Sequence, residues 1–254
     1  MISAGIDLGA KTTKVVILAD NKIVSQCLEL TGIDQAQTAE KALSNALEKA
    51  NLSRDAVNFI VATGVGRNAV SFANKEISDV AADARGIIYL LPDARTVIDI
   101  GAEEGRAIKC FADGRVQDFA INEKCAAGAG TFVETMARAL EVDVEEFGKM
   151  SLRSTNTIAM NAQCTVFAES EVVSLVHAKT AKEDISKAIH DAIASRIISM
   201  VRRVGVEEKI AVIGGVAKNP GFIDSLKRGL EINEILIPDE PEFTGALGAA
   251  LTKA

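Results

Sequence analysis

The chain has 254 residues, 48% of them hydrophobic and 4% aromatic, and carries a formal charge of −7. That length buries a substantial core in one large domain or two small ones, and the net negative charge argues against nucleic acid, whose binders need clustered Lys and Arg. No apolar run approaches the roughly 20 residues of a membrane span and no secretion signal opens the chain, so a cytoplasmic protein with reduced cysteines is expected.

In chain order, "IDLGA" at 6–10 ends a strand in a glycine turn, and "KVVILADNKIV" continues as a hairpin whose turn at 19–22 tolerates positive φ. A helix at 35–50, a strand at 57–64 and a helix at 79–91 follow. "IDIGA" at 98–102 then restarts the opening pattern. Setting Asp7 on Asp99 puts Gly9 on Gly101, Ala10 on Ala102 and Lys14 on Arg106, and "RAIKCFADGRV" repeats the hairpin with its turn at 112–115. Helices are predicted at 129–140, 165–177 and 182–204. The last carries Ile185, Ile189, Ile193, Ile197 and Val201 on one face, a core stripe, and stops at Gly205. A strand at 209–215, a helix at 221–230, a strand around 235–237 and a helix from Thr244 complete the chain. No linker divides the halves, which predicts packed lobes at 1–93 and 94–254, the C-terminal helix returning to the first.

Glycine turns leave backbone N–H groups to face an anion, and a nearby Asp holds Mg²⁺ directly or through water. Two such turns would grip a polyphosphate from both sides. A third, "IGGVAKNPG" at 213–221, either lets Gly214 and Gly215 approach a base and sugar or serves as a plain strand-to-helix connection. The P-loop pattern is absent. "GVGRNA" at 64–69, with Asp83 downstream, formally fits a dinucleotide fingerprint, but the hairpin repeat does not belong to a Rossmann unit. Cys27 and Cys110 lie in predicted strands and read as core thiols. Cys125 and Cys164 each precede a predicted helix, where the dipole favours thiolate, and read as metal ligands or as ordinary thiols. Two thiolates do not complete an iron–sulfur site, which takes four; a twofold dimer would bring two from each chain. His177 and His190 read as solvent-facing or capping, and Glu169 and Glu171 as acids complementing a helix dipole.

The order of these motifs resembles the actin, hexokinase and Hsp70-like ATPase superfamily, a ribonuclease H-like α/β fold with two related lobes around a nucleotide cleft. Covering essentially the whole chain, this resemblance implies ATP with Mg²⁺. Gly9, Ala10, Lys11, Thr12, Thr13 and Lys14 would contact phosphate, as would Gly101, Ala102 and Glu103. Asp7 and Asp99 would take metal-side catalytic roles, and Gly214, Gly215, Val216, Ala217 and Asn219 would meet the base or ribose. "KCAAGAG", "CTVFAESEV", "ATGVGRN", "GGVAKN" and "GALGAAL" look like the ATP-dependent activase (archerase) family, which serves 2-hydroxyacyl-CoA dehydratases and benzoyl-CoA reductases. That likeness implies a homodimer with one [4Fe-4S] cluster between protomers, held by Cys125 and Cys164 of each and reduced by a ferredoxin or flavodoxin. ATP hydrolysis would drive one electron to a partner iron–sulfur enzyme.

Two stretches depart from the commonest family pattern. "DIGAEE" stands where Asp-Ile-Gly-Gly-Gln-Asp is usual, so Glu103 takes the glutamine position, where a carboxylate orients water or repels phosphate. "GAGTF" puts Thr131 where an arginine is usual. The "DIGA..GRAI" form looks more like a nucleotide-binding subunit of benzoyl-CoA reductase than a dehydratase activator. The rival readings are a small-molecule kinase on the same scaffold, with Asp99 or Glu103 as base, and a nucleotide-dependent filament or scaffold protein.

Overall fold

In a computed structural model that describes residues 1–122, 130–160, 165–207 and 209–252, the duplicated hairpins each open a sheet. β1 (Ile2–Leu8), β2 (Thr12–Ala19), β3 (Lys22–Leu30), β4 (Phe59–Thr63) and β5 (Lys75–Glu76) lie in the order β3-β2-β1-β4-β5. β1 runs antiparallel to β2 and parallel to β4, in a register that sets Asp7 opposite both Lys14 and Thr63. The β2–β3 turn places Asp20 and Asn21 at φ 49° and 62°, the positive pair that matches the twist of a two-residue hairpin.

Period-two alternation gives this sheet two apolar faces. Ile6, Leu8, Val15, Ile17 and Cys27 pack on Leu43, Ala46 and Leu47 of α1 (Gln35–Lys49), which Asp34 caps by accepting from the Gln37 amide at 2.9 Å. Val16 and Leu18 meet Ala246, Leu247 and Ala250 of α8 (Thr244–Ala250). α8 crosses α2 (Asp79–Leu90) on small residues: a Cβ on Gly248 has no room beside the Ala82 carbonyl.

The second sheet has the order β8-β7-β6-β9, from β6 (Thr96–Ile100), β7 (Gly105–Cys110), β8 (Val116–Asn122) and β9 (Ile210–Ile213). Ile98, Ile100 and Val212 share one core with Phe132 of α3 (Gly130–Ala139), Phe147 of α4 (Val144–Ser151), Val172 of α5 (Thr165–His177) and Phe222 of α7 (Pro220–Leu230). The expected stripe of α6 (Lys182–Val204), from Ile185 to Val201, enters this core fully buried, and the helix ends at Gly205 with φ 89°. The chain divides into two compact units, one of residues 1–97, 109–118 and 238–254, the other of 98–108 and 119–237. Among the described residues, no helix is long and apolar enough to cross a membrane.

Several expectations need correction. The strand expected at 235–237 is a single parallel bridge, Ala211 to Leu236. α4 was not expected; it is one short amphipathic segment held by Phe147 and Met150. His190 is not solvent-facing but fully buried. Glu169 and Glu171 do not sit in the first turn of α5, which carries no acid, so the dipole account does not apply to them. Cys27 and Cys110 are buried strand residues, as expected.

Candidate functional site

In the first unit, β1 delivers Asp7 to the sheet's end and β2 returns Lys14 to its side. Lys14 Nζ lies 3.0 Å from Asp7 Oδ2, both side chains about five-sixths buried. The intervening turn closes on itself, with the Gly9 amide donating to the Thr12 carbonyl at 3.1 Å. The Thr31 hydroxyl donates to the Gly9 carbonyl at 2.9 Å, so Thr13, whose hydroxyl lies 2.9 Å from that of Thr31, must be the donor between the two. Thr13 is therefore an internal brace, while Lys11 is exposed and Gly9, Ala10 and Thr12 are half-buried. Gly64, at φ +92°, lies over this strand end: a Cβ there would stand 2.6 Å from Asp7 Oδ1. The "GVGRN" stretch leads into a 3-10 turn, Arg67–Ala69, not the helix a dinucleotide fingerprint needs; its Gly66 amide bonds the Leu8 carbonyl at 2.9 Å.

The second unit repeats this arrangement. Arg106 Nη1 lies 2.5 Å from Asp99 Oδ2, and Nη2 lies 2.7 Å from Glu104 Oε2, so one guanidinium bridges two carboxylates. The Gly101 amide donates to the Glu104 carbonyl at 2.9 Å, matching Gly9 with Thr12. Gly214, at φ +83°, covers Asp99 as Gly64 covers Asp7: its Cβ would stand 2.5 Å from Asp99 Oδ1. The repeat read in the hairpins thus extends to the strand that follows each, β4 or β9, and to the positive-φ glycine at its end. Glu103 is exposed.

α3 clasps the second turn. Its first amides, Gly130 and Thr131, donate to the carbonyls of Gly101 and Ala102 at 2.8 and 3.0 Å, and the Thr131 hydroxyl adds a bond to Ala102 at 2.8 Å. The third glycine turn becomes a 3-10 turn, Gly215–Lys218. Val216 and Ala217 point into the core, 8% and 2% exposed, whereas a Cβ on Gly215 would meet nothing within 4 Å among the described residues. Asn219 caps α7: its Oδ1 accepts from the amides of Gly221 and Phe222 at 3.0 and 3.1 Å. Its Nδ2 lies 3.0 Å from His190 Nε2, and His190 Nδ1 lies 2.7 Å from the Ser186 carbonyl. A carbonyl only accepts, so Nδ1 carries the proton and Nε2 accepts from Asn219. Burial beside Phe147 holds the imidazole down to a pKa of about 4, hence neutral.

Sequence reasoning missed three residues here. Thr31 and Glu104 are polar residues in unremarkable contexts, and His190 was misjudged because the apolar stripe hides that Ser186 and Ala194, four residues either side of it, are buried too. Cys125 and Cys164 lie outside the described residues. Among those described, no group of three or more His, Cys, Asp or Glu could hold a metal ion.

Residues 4–252 match the model of the BadF/BadG/BcrA/BcrD ATPase family. The activator of 2-hydroxyisocaproyl-CoA dehydratase from Clostridium difficile, solved with bound ADPNP, is 40% identical, with a TM-score of 0.91 over 99% of this chain and 93% of its own. Component A of (R)-2-hydroxyglutaryl-CoA dehydratase from Acidaminococcus fermentans is 38% identical, with a TM-score of 0.94 over 99% and 96%. A benzoyl-CoA reductase subunit of Thauera aromatica is 31% identical over 98% of this chain and 92% of its own. Over the whole chain this dehydratase activator shares more identity than the reductase subunit. A ROK family glucokinase from Streptomyces griseus at 12% identity shares the fold alone, the expected hexokinase-type α/β architecture. With two matched Asp–cation turns and a family model spanning nearly its full length, the chain belongs to the BadF/BadG/BcrA/BcrD ATPase family.

Proposed function

We propose that this protein binds ATP with Mg²⁺ and uses its hydrolysis to activate, by single-electron transfer in the cytoplasm, a partner of the 2-hydroxyacyl-CoA dehydratase or benzoyl-CoA reductase type. The observation that carries the reading is the matched construction of the two turns: an Asp held by a cation seven residues on, a self-closed glycine turn, and a positive-φ glycine covering the Asp. Phosphate would be met along Gly9–Lys14 and Gly101–Glu103, where the amides of Ala10, Ala102 and Glu103, which do not close the turns, suit an anion, with Lys14 and Arg106 supplying compensating charge. Asp7 and Asp99 are hard oxygen donors suited to Mg²⁺ or its waters, and the exposed Glu103 is the group to orient attacking water. Gly215 supports the adenosine assignment, since neither its φ nor any neighbour among the described residues demands glycine there.

Two of the four cysteines, Cys27 and Cys110, are buried in strands, leaving Cys125 and Cys164 as the candidate thiolates. Contributed twice by a homodimer, they would supply the four ligands of one [4Fe-4S] cluster, which when bound provides a one-electron carrier. A ferredoxin or flavodoxin is the fitting donor. Identity of 40% with a dehydratase activator, against 31% with a reductase subunit, favours a dehydratase as acceptor.

Purification without oxygen tests the reading. Brown protein with about four irons per dimer and ATPase activity is expected, and Cys164→Ala should lose the iron while keeping nucleotide affinity. Full iron and sulfide in that variant would reject the ligand assignment. Colourless protein that phosphorylates a sugar or acid would replace the whole reading with a kinase.

A further inference from the structure

We infer that Thr131 is a positioning residue for the phosphates of the nucleotide: from the start of α3 it aims the backbone amides of the second turn. The inference rests on the ATP reading above and deepens it. In a planar trans peptide, the C=O of one residue and the N–H of the next point in opposite directions. The Gly101 carbonyl is held by the Gly130 amide at 2.8 Å, and the Ala102 carbonyl by both the amide and the hydroxyl of Thr131 at 3.0 and 2.8 Å. Drawing these carbonyls toward α3 turns the N–H groups of Ala102 and Glu103 away from it, side by side. Neither amide has an acceptor among the described residues, and successive amides of this kind form an anion-binding nest.

The first unit solves the same problem with another threonine. There the Thr31 hydroxyl holds the Gly9 carbonyl at 2.9 Å, which turns the Ala10 amide outward. The second unit's brace reaches further, because Gly130 also borders the third glycine turn: a Cβ on it would stand 3.2 Å from both the Gly101 carbonyl and Val216 Cγ2. Ala102 and Thr131, two departures from the commonest family pattern, meet in one hydrogen bond.

The test uses the full-length protein, with ADPNP and adenosine as separate probes in titration calorimetry. Thr131→Val should weaken ADPNP binding about five- to tenfold, the worth of one hydrogen bond, and leave adenosine affinity unchanged. Thr131→Ala should give the same split without a methyl group against the carbonyl, and Thr131→Ser should restore ADPNP affinity. Wild-type ADPNP affinity in both the Val and Ala variants, or an equal loss for adenosine, would overturn the positioning role. Failure of the wild-type protein to bind ADPNP would instead remove the ATP reading, and this inference with it.

Discussion

Adjacent glycines in the third turn should respond to alanine in opposite ways. Gly214 has φ 83° and ψ 173°, a region essentially confined to glycine, and its Cβ would press on the Ile100 carbonyl and stand 2.5 Å from Asp99 Oδ1. The strained backbone alone costs about 1–3 kcal/mol. The overlap with backbone, which no side-chain rotation relieves, brings the loss for Gly214→Ala to about 3 kcal/mol or more. In a chain of this size that lowers Tm by roughly 6–12 °C. Gly215 has no such φ, and its Cβ would meet nothing within 4 Å among the described residues. There alanine only narrows the unfolded ensemble, so Gly215→Ala should leave the unliganded protein as stable or up to about 1 kcal/mol more stable. If the space beside Gly215 belongs to the adenosine, the same methyl group should weaken ADPNP binding more than about tenfold, the weight of roughly 1.4 kcal/mol. Thermal melts without ligand and calorimetric titration with ADPNP separate the two effects. Unchanged ADPNP affinity in Gly215→Ala would refute the assignment of that space, and a Gly214→Ala protein as stable as wild type would refute the packing argument.

Other consequences follow from the ion pairs and titrating groups. Arg106→Ala removes the guanidinium shared by Asp99 and Glu104 and should cost about 3–5 kcal/mol in urea unfolding; Arg106→Lys, a single-point donor, should recover part of it, and an Ala variant of wild-type stability would refute the bridge. His190 takes its proton near pH 4 in the folded chain and near 6.5 when unfolded, so stability should fall as pH drops from about 6.5 to about 4, by about 3 kcal/mol in all. That slope should be absent from His190→Gln, and its persistence there would assign it elsewhere. Asp184 accepts from the Ser154 hydroxyl, the amides of Thr155 and Asn156, and the Asn156 side chain, bonds that hold its carboxyl at about 2. Its contribution should be complete above the ordinary carboxylate range and vanish as pH falls through about 2; Asp184→Asn should show faster hydrogen exchange at Thr155 and Asn156 at neutral pH, and unchanged exchange would refute the brace.

Where one physical signal dominates, the sequence is legible. α6 follows its isoleucine period from Lys182 to Val204 because every fourth residue meets the same core, and both hairpins follow from alternation and turn residues with positive φ. α4 lacks that redundancy: at eight residues, with Phe147 and Met150 as its anchors, it depends on partners far away in the chain. The strand expected at 235–237 has apolar residues but only one bridge to β9, and Pro238 follows it closely. "GVGRNA" misleads because a glycine needed for close approach to Leu8 and Asp7 is spelled like one needed for a pyrophosphate. Asn219 was expected at the nucleotide from its motif, yet its carboxamide serves the α7 cap and His190, relations that only three dimensions reveal.

The two turns are alike in plan and unlike in stiffness, and the difference lies in one substitution between copies. Lysine at position 14 presents a point charge on a flexible stem, and it holds Asp7. Arginine at position 106 presents a planar fork, and it ties Asp99 to Glu104 across the turn that Gly101 closes. If Lys14 meets phosphate as proposed, its flexible stem can carry the charge from Asp7 toward a phosphate oxygen. The second turn must break two charge-assisted bonds at once, while α3 holds its carbonyls from behind. A nucleotide that reorganises either turn should thus move Lys14 and find the frame around Arg106 already set. Measured by the loss of ADPNP affinity, Lys14→Ala should act mainly through the ligand, and Arg106→Ala through the fold as well. Equal stability losses in the unliganded variants would refute this division of labour.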